Sequence, residues 1–308
     1  MRSLGLFFTL LIVGCGFDDP RNPVLSEAMK QKIAERAAET AKWVPWCDGY
    51  PSKQECSDGD AMAHGIGYLA AMGFEPSVQA VSDSVKQGFV ERSPNRNDTD
   101  NQSSRDQFLG FLAAQTWKEN RWLEVKRHVL EQDKLCTNPT DTRCSLTPVI
   151  YGLIGDIHSF LGYPTDLSLT LYKAIFPSLL MVQSATVPTG YQLNLVVNAA
   201  WIAYQSGNET SSTYLAAKNA YMRQQDNPWF CIVALGVSDF CAEKALAIWP
   251  TSEPVEKYQW SLERDTNERA WLNSMGWEFL FIAALYQVDL NGLDYQGKHD
   301  SKGGRQLH

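Results

Sequence analysis

Acidic residues and one histidine stand just before, or in the first turn of, apolar segments of this chain, where acid–base chemistry would be possible. Asp58 and Asp60 precede one such segment and His64 lies one turn further on, while Asp106 and Glu268 precede two others. Hydrolysis of a glycosidic bond needs one carboxylic acid to protonate the leaving oxygen and a second carboxylate to activate water or attack the sugar. Asp60 and Asp106 form the best such pair, with Asp58, Glu268 and His64 in reserve.

The same positions also have a purely structural explanation. Asp58, Ser104 and Asp106 stand where an N-cap or a first-turn acid stabilises a helix without taking part in chemistry. A histidine at the start of a buried helix, such as His64, is more often a hydrogen-bonded core residue than a base. Catalysis and helix stabilisation therefore both remain open for these residues.

Cationic and aromatic side chains occur at equivalent positions before other apolar segments. These candidate substrate-binding residues are Arg92, Arg105, Tyr191, Trp229 and Arg269. A guanidinium suits the carboxylate of an acidic sugar, and an aromatic ring suits the apolar face of a sugar ring. With an acidic sugar, lyase chemistry using His64, a tyrosine and an arginine is a variant. Alternatively, the arginines pair with neighbouring acids and the rings belong to the core.

Helices must position these residues, because helical periodicity recurs along almost the whole chain and strand signals are scarce. Some segments carry a single apolar face, as at Leu25, Met29 and Ile33, whereas others are apolar nearly all round and must be buried. The two kinds alternate along the sequence. The predicted helices, about twelve in number, are 26–43, 59–72, 76–91, 104–118, 120–132, 147–161, 166–182, 190–206, 211–225, 228–235, 239–248 and 267–287.

Buried helices surrounded by amphipathic ones, with the long loops at one end, describe an all-α fold of the α/α toroid type. This alternation, together with Arg92-Ser93-Pro94 and the later Ser104-Arg105-Asp106-Gln107-Phe108-Leu109-Gly110, resembles the six-hairpin glycosidase-like superfamily of (α/α)6 toroids. The resemblance covers residues 26–290 and implies a funnel formed by the N-terminal ends of the inner helices. An irregular helical bundle or an α-solenoid is the alternative.

The N-terminus is typical of an exported bacterial protein. Leu4 to Val13 form an apolar run of about ten residues, which suits a signal peptide and is too short for a membrane span. The run ends in Ile12-Val13-Gly14-Cys15, which resembles the lipobox, whose cysteine is acylated and becomes the new N-terminus; a plain signal peptide is the alternative. We predict a signal peptide over 1–14, a tether over 15–23, one toroid domain over 24–292 and a disordered tail over 293–308.

The remaining cysteines indicate the same oxidising compartment. Of the 7 cysteines in the chain, removing Cys15 leaves six, and these fall into three pairs that are local in sequence. The favoured connectivity among these cysteines is therefore the local one. We predict the disulfides Cys47–Cys56, Cys136–Cys144 and Cys231–Cys241. No C-x-x-C spacing occurs, so we predict no metal site.

Composition and charge exclude several classes of function. The formal net charge is −8, from 35 acidic and 27 basic residues, and this argues against nucleic acid as the main partner. The sequence has no glycine-rich nucleotide-binding motif, no H-E-x-x-H and no G-x-S-x-G. We therefore expect no nucleotide, no nucleic acid and no cofactor.

Two classes of function remain. The preferred one is an exported, lipid-anchored carbohydrate-active enzyme, in the first place a glycoside hydrolase. The other is a non-catalytic surface or periplasmic lipoprotein that binds glycan or protein. Both predict a protein of the bacterial cell envelope, on the outer membrane if the cell is Gram-negative, with its domain facing the periplasm or the exterior. The expected partners are the membrane, through the lipid anchor, and an oligo- or polysaccharide.

Overall fold

A computed structural model describes residues 25–52, 65–94, 103–136, 142–248 and 276–296. The described residues form a mostly helical, all-α fold, which confirms the predicted class. The helices are α1 Glu27–Ala41, α2 Gly67–Ala71, α3 Glu75–Asp83, α4 Arg105–Gln115, α5 Trp122–Gln132, α6 Pro148–Phe160, α7 Leu167–Thr186, α8 Tyr191–Gln205, α9 Ser211–Arg223, α10 Pro228–Leu235, α11 Asp239–Ile248 and α12 Trp277–Leu285. Among these residues no helix combines the length and the hydrophobicity that a membrane span requires.

The even-numbered helices are buried and the odd-numbered helices are amphipathic, as the apolar patterns predict. In α4 every residue after Arg105 is buried, and in α10 every residue but the last is buried. In contrast, α5 buries only Trp122, Val125 and Val129, which lie on one face. Because each amphipathic helix has a single apolar face to cover, it packs against buried neighbours and leaves its other side to solvent.

Two short hairpins interrupt the helices, and one of them corrects a prediction. The predicted helix 76–91 ends at Asp83, and the strands β3 (Val85–Lys86) and β4 (Phe89–Val90) follow. The turn between them has positive φ at Gln87 (53°) and Gly88 (83°), a conformation that suits a two-residue hairpin turn and is incompatible with a helix. The other hairpin joins β1 (Trp46–Cys47) to β2 (Tyr50–Pro51).

Close packing of the buried helices forms the centre of the molecule. At the crossing of α2 and α4, a Cβ added to Gly67 would lie 2.3 Å from the backbone of Gly110, so the two backbones touch. Further along the core, rings from four buried helices pack together, each within 6 Å of at least two of the others. They are Tyr68 of α2, Trp201 of α8, Trp229 of α10 and Phe281 of α12, with centroid distances between 5.1 and 5.9 Å.

The C-terminal helices return to the N-terminal part of the chain. The backbone N–H of Ser26 donates to Asp239 Oδ1 (2.9 Å), and Trp277 Nε1 donates to the carbonyl of Ser52 (3.0 Å). Helix α12 packs against α1 and α2, and α11 packs against α1. Tyr295 is buried and stacks against Trp277, so the chain as far as Tyr295 packs against the helices.

Two of the predicted disulfides are present. Cys136 is bonded to Cys144, and Cys231 is bonded to Cys241, which joins α10 to α11. Cys47 takes part in a disulfide, and its predicted partner Cys56 lies outside the described residues. Such short loops each stabilise a fold by about 2–3 kcal/mol in the chain-entropy view.

Candidate functional site

The candidate site starts from the N-terminus of the buried helix α4. Ser104 is extended (φ −113°, ψ −176°), so the helix begins directly after it. The backbone N–H of Ser104 donates to Gln107 Oε1 (2.8 Å), which is the reciprocal half of a capping box. The carbonyl of Ser104 accepts the first helical hydrogen bond, from Phe108 N (3.0 Å). Ser104 and Gln107 therefore cap this helix.

Asp106 lies in the first turn of α4 and is held by the same two residues. Its side chain is 9% exposed. Ser104 Oγ donates to Asp106 Oδ1, and Gln107 Nε2 donates to Oδ2 at 3.1 Å. Because the capping box is made by Ser104 and Gln107, Asp106 is not the N-cap; its carboxylate is fixed in position near the positive end of the helix.

Arg105 adds a cationic donor next to this carboxylate. The residue is half-buried, and its Nε is a buried nitrogen without a hydrogen-bond partner among the described residues. A buried N–H that lacks a partner is unfavourable by about 1–3 kcal/mol. A ligand oxygen would satisfy it.

The described part of the loop after α5 contacts the chain just before α4. Leu135 N donates to the carbonyl of Cys144 (2.8 Å), and Cys144 Sγ lies 3.7 Å from the carbonyl oxygen of Ser103. The Cys136–Cys144 disulfide thus holds this loop against the residue that precedes the helix.

The other predicted binding residues have different surroundings. Tyr191, the first residue of α8, is exposed, and Arg92 is half-buried after the β3–β4 hairpin. Trp229 is 1% exposed, packs in the central aromatic cluster and donates from Nε1 to Asn198 Oδ1 (2.7 Å). Because its ring is almost fully buried, Trp229 fits the alternative that these rings belong to the core.

Several predicted residues lie outside the described part of the chain. They are Cys15, Asp58, Asp60, His64, Glu268 and Arg269. The structure therefore describes Asp106 and Arg105 of the predicted catalytic and binding set, together with Arg92, Tyr191 and Trp229, and the Asp60–Asp106 pair stays a prediction.

Two buried polar residues near the starts of other buried helices were not predicted. Asn194, in the first turn of α8, is buried, and its Oδ1 has no hydrogen-bond partner among the described residues. Glu278 is buried at the second position of α12. The signal that could have found them is a single polar residue inside an otherwise apolar run.

Two ionisable residues in the second half of α6 are buried and bind side chains of neighbouring segments. Asp156 accepts from Asn208 Nδ2 at 2.9 Å and lies 3.6 Å from Lys173 Nζ. Burial raises the pKa of Asp156 to about 6, against the opposing effects of Asn208 and Lys173. His158 Nδ1 accepts from Trp122 Nε1 (3.1 Å), and burial lowers its pKa.

No cluster of potential metal ligands occurs within the described ranges. Comparisons with family models, with curated proteins and with solved structures find no match to this chain. The resemblance to the six-hairpin glycosidase-like superfamily therefore stays a prediction from the sequence.

Proposed function

We propose that this chain is an exported, lipid-anchored glycoside hydrolase of the cell envelope. The observation that carries the proposal is Asp106, a nearly buried carboxylate in the first turn of a helix that Ser104 and Gln107 already cap. The helix does not require this acid as its N-cap. Its neighbour Arg105 offers a buried Nε with no protein acceptor among the described residues.

The proposal includes a closed α/α toroid. Strict alternation of buried and amphipathic helices supports it, as does the return of α11 and α12 to α1 and α2. In an up-and-down order, helices of the same parity run parallel, so the starts of the buried helices would gather at one end. Asp106, Arg105, Asn194 and Glu278 stand at such starts, as Asp60 does in the sequence.

The chemistry assigned to Asp106 follows from its hydrogen bonds. Both of its oxygens accept hydrogen bonds, which fix the orientation of the carboxyl group. In a hydrolysis, this carboxylate would activate water or attack the anomeric carbon, while the second acid, for which Asp60 is the candidate, donates a proton to the leaving oxygen. Arg105 would bind a substrate oxygen, and a carboxylated sugar would suit it best.

Lipid anchoring rests on the lipobox-like Ile12-Val13-Gly14-Cys15. Two or three acyl chains hold a protein stably at a membrane, where one chain does not. We expect Cys15→Ser to move the protein from the membrane fraction to the soluble fraction, as followed by salt-washed fractionation and immunoblotting. Retention of this variant in washed membranes would contradict lipid anchoring.

The activity is tested with purified protein on a panel of bacterial and plant polysaccharides, with Asp106→Asn and Asp166→Asn as a matched pair. Asp166 is the N-cap of α7 and its Oδ1 accepts from Leu169 N (2.8 Å). Asp106→Asn should lower turnover by roughly 10²–10⁴ at nearly unchanged melting temperature. Asp166→Asn keeps an N-cap acceptor and should leave turnover within a few-fold of wild type.

Three other results would redirect the proposal. If the enzyme is active and the variants Asp106→Asn and Asp60→Asn both retain turnover, neither residue is catalytic. Asp58 and Glu268 would then be the next candidates. Products with an unsaturated uronic-acid end would indicate the lyase variant. Polysaccharide binding without turnover would favour the non-catalytic lipoprotein.

A further inference from the structure

The outer helix α7 carries an exposed surface without charge. Its exposed side chains include Leu167, Leu171 (58% exposed), Ile175 (47%) and Val182 (55%), and no exposed residue of α7 is charged. At 100° per residue, all of these lie within one face opposite to the buried Phe176 and Leu180. Large exposed apolar residues in a contiguous stripe mark an interaction site.

Helix α9 packs beside α7 and extends this surface with Leu215 and Met222, which are also exposed. Neither α7 nor α9 contains Asp or Glu, whereas α1, α3, α5 and α11 all do. The chain as a whole is acidic, with a net charge of −8. The absence of carboxylates from two adjacent amphipathic helices is therefore unusual for this protein. We name the exposed apolar residues of α7 and α9 the α7–α9 face.

We propose that the α7–α9 face binds the same face of a second copy of this chain, in a two-fold symmetric dimer. Two copies of an acidic chain repel each other, and the repulsion at contact is smallest where neither copy presents a carboxylate. Each cation next to the face has a contact within the copy. Lys173 pairs with Asp156, Arg223 donates to the carbonyls of Ser184 (2.7 Å) and Val187 (2.6 Å), and Lys218 Nζ lies 5.9 Å from the centroid of the Tyr214 ring.

The order of side chains along α7 is self-complementary. An antiparallel pair centred between Phe176 and Pro177 places Ile175 opposite Ser178 of the second copy, and Leu171 opposite Val182 of the second copy. At the centre, the large Ile175 of each copy thus faces the small Ser178 of the other copy. This pairing occurs twice by symmetry and allows the two helices to approach closely.

The α7–α9 face is large enough for a weakly associating dimer. Helix α7 is about 30 Å long and α9 about 20 Å, and side by side they present a strip about 20 Å wide. Each copy would cover about 500 Å², for a total of about 1,000 Å², which is the lower end for a specific interface. We therefore expect an association in the micromolar range rather than an obligate dimer.

The first test is sedimentation of the full chain carrying Cys15→Ser, which removes the acylation site, from about 1 to about 100 µM. We expect a monomer–dimer equilibrium that Ile175→Lys weakens at least tenfold, because it places two like charges near the symmetry axis. Leu123→Lys is the matched control, since Leu123 is 46% exposed on a different outer helix, α5, and it should associate like the parent. Far-UV circular dichroism checks that both variants fold.

The second test is cross-linking of Leu171→Cys/Val182→Cys. These positions are about 16 Å apart along one helix, too far for a disulfide within a copy. Mild oxidation should give a covalent dimer for the double variant and none for either single variant.

Three results would overturn the proposal. They are a monomer at every concentration, an association that Ile175→Lys leaves unchanged, and flotation of a monomer with phosphatidylglycerol-containing vesicles that Ile175→Lys abolishes. The last result would assign the face to lipid. None of these outcomes bears on the Asp106 proposal, since the variants lie outside that site.

Discussion

Helices α4 and α7 compare the two layers of this molecule, by which we mean its buried helices and its amphipathic helices. Every residue of α4 after Arg105 is buried, whereas α7 buries only Leu169, Phe176, Pro177, Leu180 and Ser184 of its 20 residues. Both helices carry an aspartate near their N-terminus. Asp166 caps α7, while Asp106 follows a cap that other residues provide. Similar residues in similar positions therefore have different roles in the two layers.

The layers also differ in how much space surrounds their glycines. Gly67 lies against the backbone of Gly110, where nothing can move aside. Gly162, in the turn that leads to α7, has positive φ (83°) and no atom within 4 Å of an added Cβ. The buried crossing at Gly67 is thus sensitive to a single methyl group, and the turn at Gly162 is sensitive only to backbone conformation.

The largest expected effect is that of Gly67→Ala. Its methyl group would lie 2.3 Å from the Gly110 backbone, so α2 and α4 must separate, at about 3 kcal/mol or more of unfolding free energy. Gly162→Ala should cost only about 1 kcal/mol, from left-handed backbone strain. Urea unfolding of the two variants measures both. Equal losses would contradict the difference between buried crossing and outer turn.

The next effect concerns the contact between the layers, where Asp156 of α6 meets Lys173 of α7. Burial raises the pKa of Asp156 from 3.8 to about 6, so the folded protein binds this proton more tightly than the unfolded chain does. The resulting stabilisation is complete below about pH 4 and is lost as the pH rises through about 6.

We therefore expect the unfolding free energy of the parent, relative to Asp156→Asn, to fall by about 2–3 kcal/mol between about pH 4 and 7. Denaturation at a series of pH values measures this difference. Asn208→Ala removes an amide that favours the ionised carboxylate, so the fall should extend to higher pH. Parallel pH profiles for parent and Asp156→Asn would contradict the raised pKa.

The smallest effect is that of Asp166→Ala at the start of α7. Removing the acceptor of the Leu169 N–H should cost about 1 kcal/mol, measured by urea unfolding. Asp166→Asn retains an acceptor and should lower the unfolding free energy by only about a few tenths of a kcal/mol. A loss of several kcal/mol in Asp166→Ala would show that α7 is as constrained as the buried layer.

The pattern of apolar residues predicted the helices well, because burial on one face or on all faces leaves a direct trace in the sequence. It failed at 76–91, where Val85 and Phe89 continue a helical spacing although Gln87-Gly88 makes a turn. Periodicity and turn chemistry conflicted there, and the hairpin allows Val85 and Val90 to be buried together.

The candidate site was predictable only in part. Asp106 and Arg105 could be chosen from their place before an apolar run, but the partners of each side chain could not. Trp229 occupies an equivalent place and is enclosed by Trp201 and Phe281, which come from helices distant in sequence. Asn194 and Glu278 were missed because single polar residues in apolar runs carry little weight in a pattern.

The sequence by itself determined the all-α class, the alternation of buried and amphipathic helices and the pairing of Cys136 with Cys144 and of Cys231 with Cys241. These features depend on neighbours within one helix or one short loop. Only the tertiary structure decided that Trp229 is core and that α7 leaves an apolar face uncovered. Both depend on which distant segments meet, and local spacing carries no information about such contacts.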